Sequence, residues 1–232
     1  MKYNLLQLKQ ELKEELTHNI LPFWMDKMTD DKNGGYYGQM TGRNQLVPDA
    51  PKGGILNARI LWTFSSAALA LKNPLYTEYA KRAKDYAFEH FFDAKNGGTY
   101  WMLKADGTPA DTKKQIYAIG FAIYGLSEYY RATADAEALT YAIHLFESIE
   151  THSFDKIKNG YCEALTHEWG EIDDMRLSDK DENGSRTMNT HLHIIEPYTN
   201  LYRVWKDKNL EQSIRNLLDI FTDKMLNPET YH

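Results

Sequence analysis

Asp31-Lys32-Asn33-Gly34-Gly35-Tyr36-Tyr37 returns as Asp93-Ala94-Lys95-Asn96-Gly97-Gly98-Thr99-Tyr100-Trp101 and, more loosely, as Asp155-Lys156-Ile157-Lys158-Asn159-Gly160-Tyr161. The Asn-Gly pairs begin at 33, 96 and 159, an even step of 63 residues. Asn-Gly is a strong turn signal because both residues tolerate a positive φ. Three such turns at equal spacing, each running into aromatic residues, mark an internal repeat.

Between the turns the apolar period is helical. Leu5, Leu8, Leu12, Leu16 and Ile20 share one face of a helix over 3–20, which Pro22 should limit or kink. An apolar helix over 55–72, broken by Asn73-Pro74, precedes a second over 75–92. The next unit predicts helices over 114–133 and, capped by Asp135, to about 152; the third predicts 187–206 and 210–226. Residues 99–103 and 161–165 read as short hairpin strands, and Ala105-Asp106-Gly107-Thr108 as a turn. Helical hairpins repeating this way build an open solenoid or a closed α/α barrel. The inner helices differ strongly and carry polar residues near their starts, which favours the barrel: an all-α fold, one domain over 1–232.

Composition narrows the function. The 232 residues are 42% hydrophobic and 26% charged with net charge −6, a globular balance. Positive charge forms no stripe, so nucleic acid is not an expected partner. A single cysteine, Cys162, allows no internal disulfide and no cysteine-based zinc site. A polar start and the lack of an obvious run of about 18 apolar residues point to the cytoplasm and away from a membrane. Aromatic content is 13%, which serves either core filling or stacking platforms for sugar rings. No phosphate-binding or serine-hydrolase motif is present.

Three polar clusters open successive inner helices: Asn57-Ala58-Arg59, Gln115-Ile116-Tyr117, and Met188-Asn189-Thr190-His191-Leu192-His193-Ile194-Ile195-Glu196. In a barrel these equivalent positions converge at one mouth, a polar pocket with aromatic walls. Taken singly, Arg59 could pair with a carboxylate, Tyr117 could be core, and His193 a packed helix histidine. His191 and His193 face different ways, so they are not a metal pair, whereas His193 and Glu196 stand at i, i+3, where the carboxylate can fix the imidazole tautomer. The 161–186 connection is long for a compact repeat, which favours a loop over the pocket. Its acidic residues fit no calcium-loop spacing.

Asn57-Ala58-Arg59-Ile60-Leu61-Trp62-Thr63-Phe64-Ser65, Asp174-Met175-Arg176-Leu177-Ser178-Asp179-Lys180-Asp181 and Met188-Asn189-Thr190-His191-Leu192-His193 together resemble the cellobiose 2-epimerases of the N-acylglucosamine 2-epimerase family. The resemblance implies an (α/α)6 barrel and epimerisation at C2 of the reducing-end glucose of cellobiose- or lactose-type disaccharides, with no metal or nucleotide cofactor. The implied chemistry is removal of the C2 proton from the open-chain sugar, an enediolate, and reprotonation on the other face. Arg59 would then stabilise negative charge at the carbonyl-side oxygens, and Tyr117 and Asn189 would hold sugar hydroxyls. His193 would sit beside the reducing-end ring, with Glu196 orienting it. The family's acid/base histidine pair has no counterpart here. Six units of this period would take roughly 380 residues. The expectation is therefore about seven helices of a twelve-helix barrel, inactive alone. An aldose–ketose isomerase and a non-catalytic helical-repeat binding module remain the alternatives.

Overall fold

A computed structural model describes residues 4–230; Tyr3, placed in the first helix above, and the outermost positions of the 1–232 domain lie outside the described residues. Asn4 caps α1 (Leu5–Glu15), accepting from the Leu6 and Gln7 N–H groups. The chain then stays helical past Pro22, with wider π-helical turns at Leu16–Ile20 and Phe23–Lys27. Pro22, expected to limit or kink the helix, does not end it. α1 precedes the first Asn-Gly turn as later outer helices precede theirs, and none of its residues is buried. Leu5 and Leu12 are 74% and 62% exposed because nothing among the described residues packs on their face.

A short strand, β1 (Lys52–Gly53), leads into α2 (Gly54–Leu71), which folds back as α3 (Leu75–Tyr86). The next unit has β2 (Met102–Leu103), β3 (Pro109–Asp111) and β4 (Lys114–Gln115), then α4 (Ile116–Thr133) and α5 (Ala136–His152). Asp135 caps α5, accepting from the Glu137 and Ala138 N–H groups. The third has β5 (Phe154–Asp155), β6 (Gly160–Tyr161), β7 (Ala164–Leu165), α6 (Met188–Val204) and α7 (Lys208–Ile220). β1, β2 and β3 form a small antiparallel sheet, β4 pairs β7 and β5 pairs β6. This is the all-α, (α/α)6-barrel type, with α2, α4 and α6 side by side as inner helices and α3, α5 and α7 outside them.

The core lies between the layers, where Leu61, Phe64, Ile119, Ile123, Leu126, Tyr198 and Leu201 meet Ala80, Ala138, Ala142 and Leu210. Contrary to the expectation from sequence, α2 is long and apolar enough to cross a membrane by length and composition alone. Here Ile60, Leu61, Phe64 and Ala67 of α2 are buried in protein.

The repeat is held by a device the pattern only hinted at. Asp30, not Asp31, anchors the first turn, accepting from the Lys32 and Asn33 N–H groups; Asp93 and Asp155 serve the next two in the same way. Each aspartate also binds a cation two residues before an inner helix: Lys52 at 2.8 Å, Lys114 at 2.7 Å and Arg186 at 2.6 Å. The turn at the end of one unit is thereby tied to the start of the following inner helix, where the polar clusters lie.

Candidate active site

Close helix packing places the cluster. Pro197 lies inside α6 and cannot donate to the His193 carbonyl, so that oxygen loses its helical partner. Gly120 of α4 faces it, and a Cβ there would come within 2.5 Å. The glycine lets α4 and α6 approach closely at the level of His193. The start of α6 is set by Thr187, whose side chain accepts from the Thr190 N–H, and by the buried Glu163 carboxylate, which accepts from the Thr187 N–H and the Thr190 hydroxyl. Burial pushes the Glu163 carboxyl up, and these donors oppose the rise.

From these starts Arg59 (α2), Tyr117 (α4) and His193 (α6) come together around Phe121. The Arg59 guanidinium lies 4.6 Å from the Phe121 ring centre and donates to the Tyr117 hydroxyl at 3.4 Å. Among the described residues Arg59 forms no ion pair, so the carboxylate partner that an isolated reading allowed is not there. Tyr117 stacks on Phe121 at 5.1 Å and meets His193 edge-on. Burial raises the Tyr117 phenol above its ordinary value, though nearby Arg59 opposes the rise, so the hydroxyl is a neutral donor around pH 7. His193 Nδ1 lies 2.8 Å from Glu196 Oε2. With Nδ1–H donating to the carboxylate, Nε2 carries the lone pair and can accept a proton.

Asn189 is exposed one turn before His193 on the same face of α6, and its side chain makes no hydrogen bond among the described residues. Its neighbour His191 faces inward: Nε2 accepts from the Tyr161 N–H at 3.0 Å and Nδ1 donates to the Thr187 carbonyl. That is a structural role. Sequence reasoning missed Phe121, although its place four residues after Tyr117 puts both on one helix face. It also gave no role to Leu177, which packs against the cluster of Ala58, Tyr117 and Phe121. Leu177 stands in the Asp174–Asp181 stretch that carries the resemblance, but no local signal shows what it touches, since its contact is made across the fold. The 161–186 connection does border this face, with Gln115 Nε2 donating to the Met175 carbonyl and Lys113 Nζ to that of Arg176. Among the described residues no group of three His, Cys, Asp or Glu side chains is placed to hold a metal ion.

A donor, a neutral phenol and an oriented imidazole beside an aromatic ring make a face that can bind hydroxyls and stabilise a developing oxyanion. Residues 34–232 match the family model described as N-acylglucosamine 2-epimerase (GlcNAc 2-epimerase). The chain is 63% identical over 225 residues to a cellobiose 2-epimerase of Bacteroides fragilis, covering 97% of this chain and 57% of that relative. A solved cellobiose 2-epimerase from Bacillus thermoamylovorans superposes with a TM-score of 0.92 at 43% identity, over 96% of this chain and 57% of that one. A D-mannose isomerase structure, 18% identical with a TM-score of 0.80 over 97% of this chain and 55% of its own, shares the fold.

Proposed function

Because this chain belongs to the N-acylglucosamine 2-epimerase family, we propose that its Arg59–Tyr117–His193 face binds the reducing-end sugar of a β-1,4 disaccharide of the cellobiose type and serves its epimerisation at C2. The observation that carries the reading is the convergence of these three side chains, from three inner helices, on one aromatic ring.

In this reading the open-chain aldose lies with its carbonyl side toward Arg59. Removal of the C2 proton moves the C–H electron pair into an enediolate, whose oxygen charge the guanidinium and the Tyr117 hydroxyl stabilise. Returning a proton to C2 from the opposite face gives the epimer, with no net change in atoms or electrons. The cycle needs no redox cofactor. His193, held by Glu196, presents Nε2 to the reducing-end ring and assists ring opening or protonation of the intermediate. Taking the proton from C2 and returning one on the opposite face need an acid/base pair, which the described residues of this face do not supply. Asn189 contributes its amide to sugar hydroxyls.

The test is product analysis after incubation with cellobiose in D₂O, using the chain as it stands and the chain joined to the uncovered part of the Bacteroides fragilis relative. The joined protein should yield glucosyl-mannose carrying deuterium at C2. A product without deuterium would exclude the proton-transfer route. Conversion of mannose in preference to cellobiose would favour an aldose–ketose isomerase.

A further inference from the structure

The connection from β6 to α6 is fastened at two distant places. Near its start, the Thr166–Gly170 turn lies on the Asn-Gly turn of the preceding unit. His167 Nε2 sits 2.7 Å from Asp93 Oδ2, the oxygen that Lys114 Nζ also meets at 2.7 Å. Trp169 donates from Nε1 to the Asn96 carbonyl at 2.7 Å and stacks on His152 with ring centres 4.3 Å apart. Its φ of 66° is a conformation that a bulky L-residue keeps only when its surroundings impose it. Space for the indole comes from Gly98, where a Cβ would come within 2.8 Å of the ring.

Ten residues on, the same connection reaches the sugar face. Met175 and Arg176 present their carbonyls to Gln115 and Lys113, and Leu177 packs against the cluster of Ala58, Tyr117 and Phe121. Asn183 closes the intervening excursion, accepting from the Met175 N–H and donating to the Asp173 carbonyl. Both fastenings meet one tripeptide. Lys114 holds Asp93 beneath His167, while Lys113 and Gln115, its immediate neighbours, hold the far end. The strained Trp169 and His167, close against Asp93, touch none of the residues of the sugar face, so the proposed reaction leaves them without a role.

Resting on the sugar-binding reading above, we propose that His167 and Trp169 are positioning residues: by locking the connection onto the Asp93–Gly98 turn, they seat Leu177 against Tyr117 and Phe121 and so set the affinity of the face for its sugar. Without the lock, segment 171–183 keeps the Gln115 and Lys113 hydrogen bonds at Met175 and Arg176 and its own internal ones, but loses its anchor on the Asp93–Gly98 turn, and Leu177 loses a fixed approach.

Hydrogen exchange read by mass spectrometry on this chain, with and without cellobiose, tests the proposal. In His167→Ala, exchange across 171–183 should rise about tenfold while α2, α4 and α6 are unchanged, and cellobiose should bind about tenfold more weakly. His167→Gln, whose amide still donates to Asp93, should restore most of both. Trp169→Phe keeps the stack on His152 but loses the donor to Asn96, and should loosen the same segment. Unchanged exchange at 171–183, or a rise spread evenly over the helices, would overturn the proposal. So would a loosened segment with unaltered sugar affinity. If His167→Ala does not fold, Trp169→Phe decides by the same criteria. If cellobiose slows exchange nowhere in the parent chain while His167→Ala still frees 171–183, the lock stands and the sugar-binding reading fails.

Discussion

The Tyr117 ring meets the His193 imidazole edge-on, with ring centres 4.4 Å apart and planes at 61°. The contact bridges two inner helices that are 76 positions apart in the chain. It exists because Gly120 and Pro197 let the helices close where the His193 carbonyl would otherwise collide with a side chain. Phe121 completes it, lying 5.1 Å from both rings. A neutral phenol, an imidazole and a guanidinium thus share one aromatic neighbour.

Gly120→Ala should destabilise the protein by about 1–3 kcal/mol, the range for overpacking a tight helix contact. The added Cβ would press on the His193 carbonyl and shift α6 against α4. Thermal unfolding reads the cost, and the joined protein should also turn over more slowly because His193 moves. A Gly120→Ala protein of unchanged stability would show that the helices separate freely here.

Arg59→Ala should lower turnover of the joined protein by about 10², the scale for losing an oxyanion donor. The residue is exposed and makes no ion pair among the described residues, so circular dichroism and melting temperature should hardly change. Unfolding without a separable loss of rate would reassign Arg59 to the scaffold.

His193→Ala should severely slow the exchange of solvent deuterium into C2, and Glu196→Gln should slow it less. The glutamine oxygen still accepts from Nδ1–H, but the negative charge that steadies an imidazolium is gone. Equal rates for parent and His193→Ala, measured by NMR of the sugar, would remove the imidazole from the reaction.

Stability in acid should depend on Asp93. Burial raises its carboxyl, but the Lys114 ammonium and the N–H groups of Asn96 and Lys95 outweigh burial and hold it well below the ordinary carboxylate range. A depressed folded value contributes stability that is full above the unfolded value, near pH 4, and is lost as the pH falls through the folded one. Asp93→Asn should cost about 3–5 kcal/mol near neutrality, since Lys114 is left buried and uncompensated. Its stability should then vary less with pH below about 4, as denaturant melts at several pH values would report.

Much of this architecture is legible in one dimension. Apolar periods of three and four, broken at Asn73-Pro74 and restarted at Asp135, place the helices within a few residues, because helix periodicity and capping are local properties. The 63-residue step reports the hairpin unit for the same reason. The same step leads from Asp93 back to Asp30 rather than Asp31, and the structure gives the reason: Asp30 accepts from the Lys32 and Asn33 N–H groups and meets the Lys52 ammonium, 22 positions away.

Sequence by itself determined the all-helical repeat and the polar residues at the starts of its inner helices, since turn chemistry and amphipathic spacing are written in neighbouring residues. Tertiary structure alone decided that Arg59 has a phenol and an aromatic face for company and, among the described residues, no carboxylate partner. It also decided that His191 turns inward while His193 meets Tyr117, and that Leu177 returns from a distant loop to the same place. These are contacts between segments far apart in the chain. Their geometry follows from how closely helices pack, which a glycine or a proline can permit but no local pattern records.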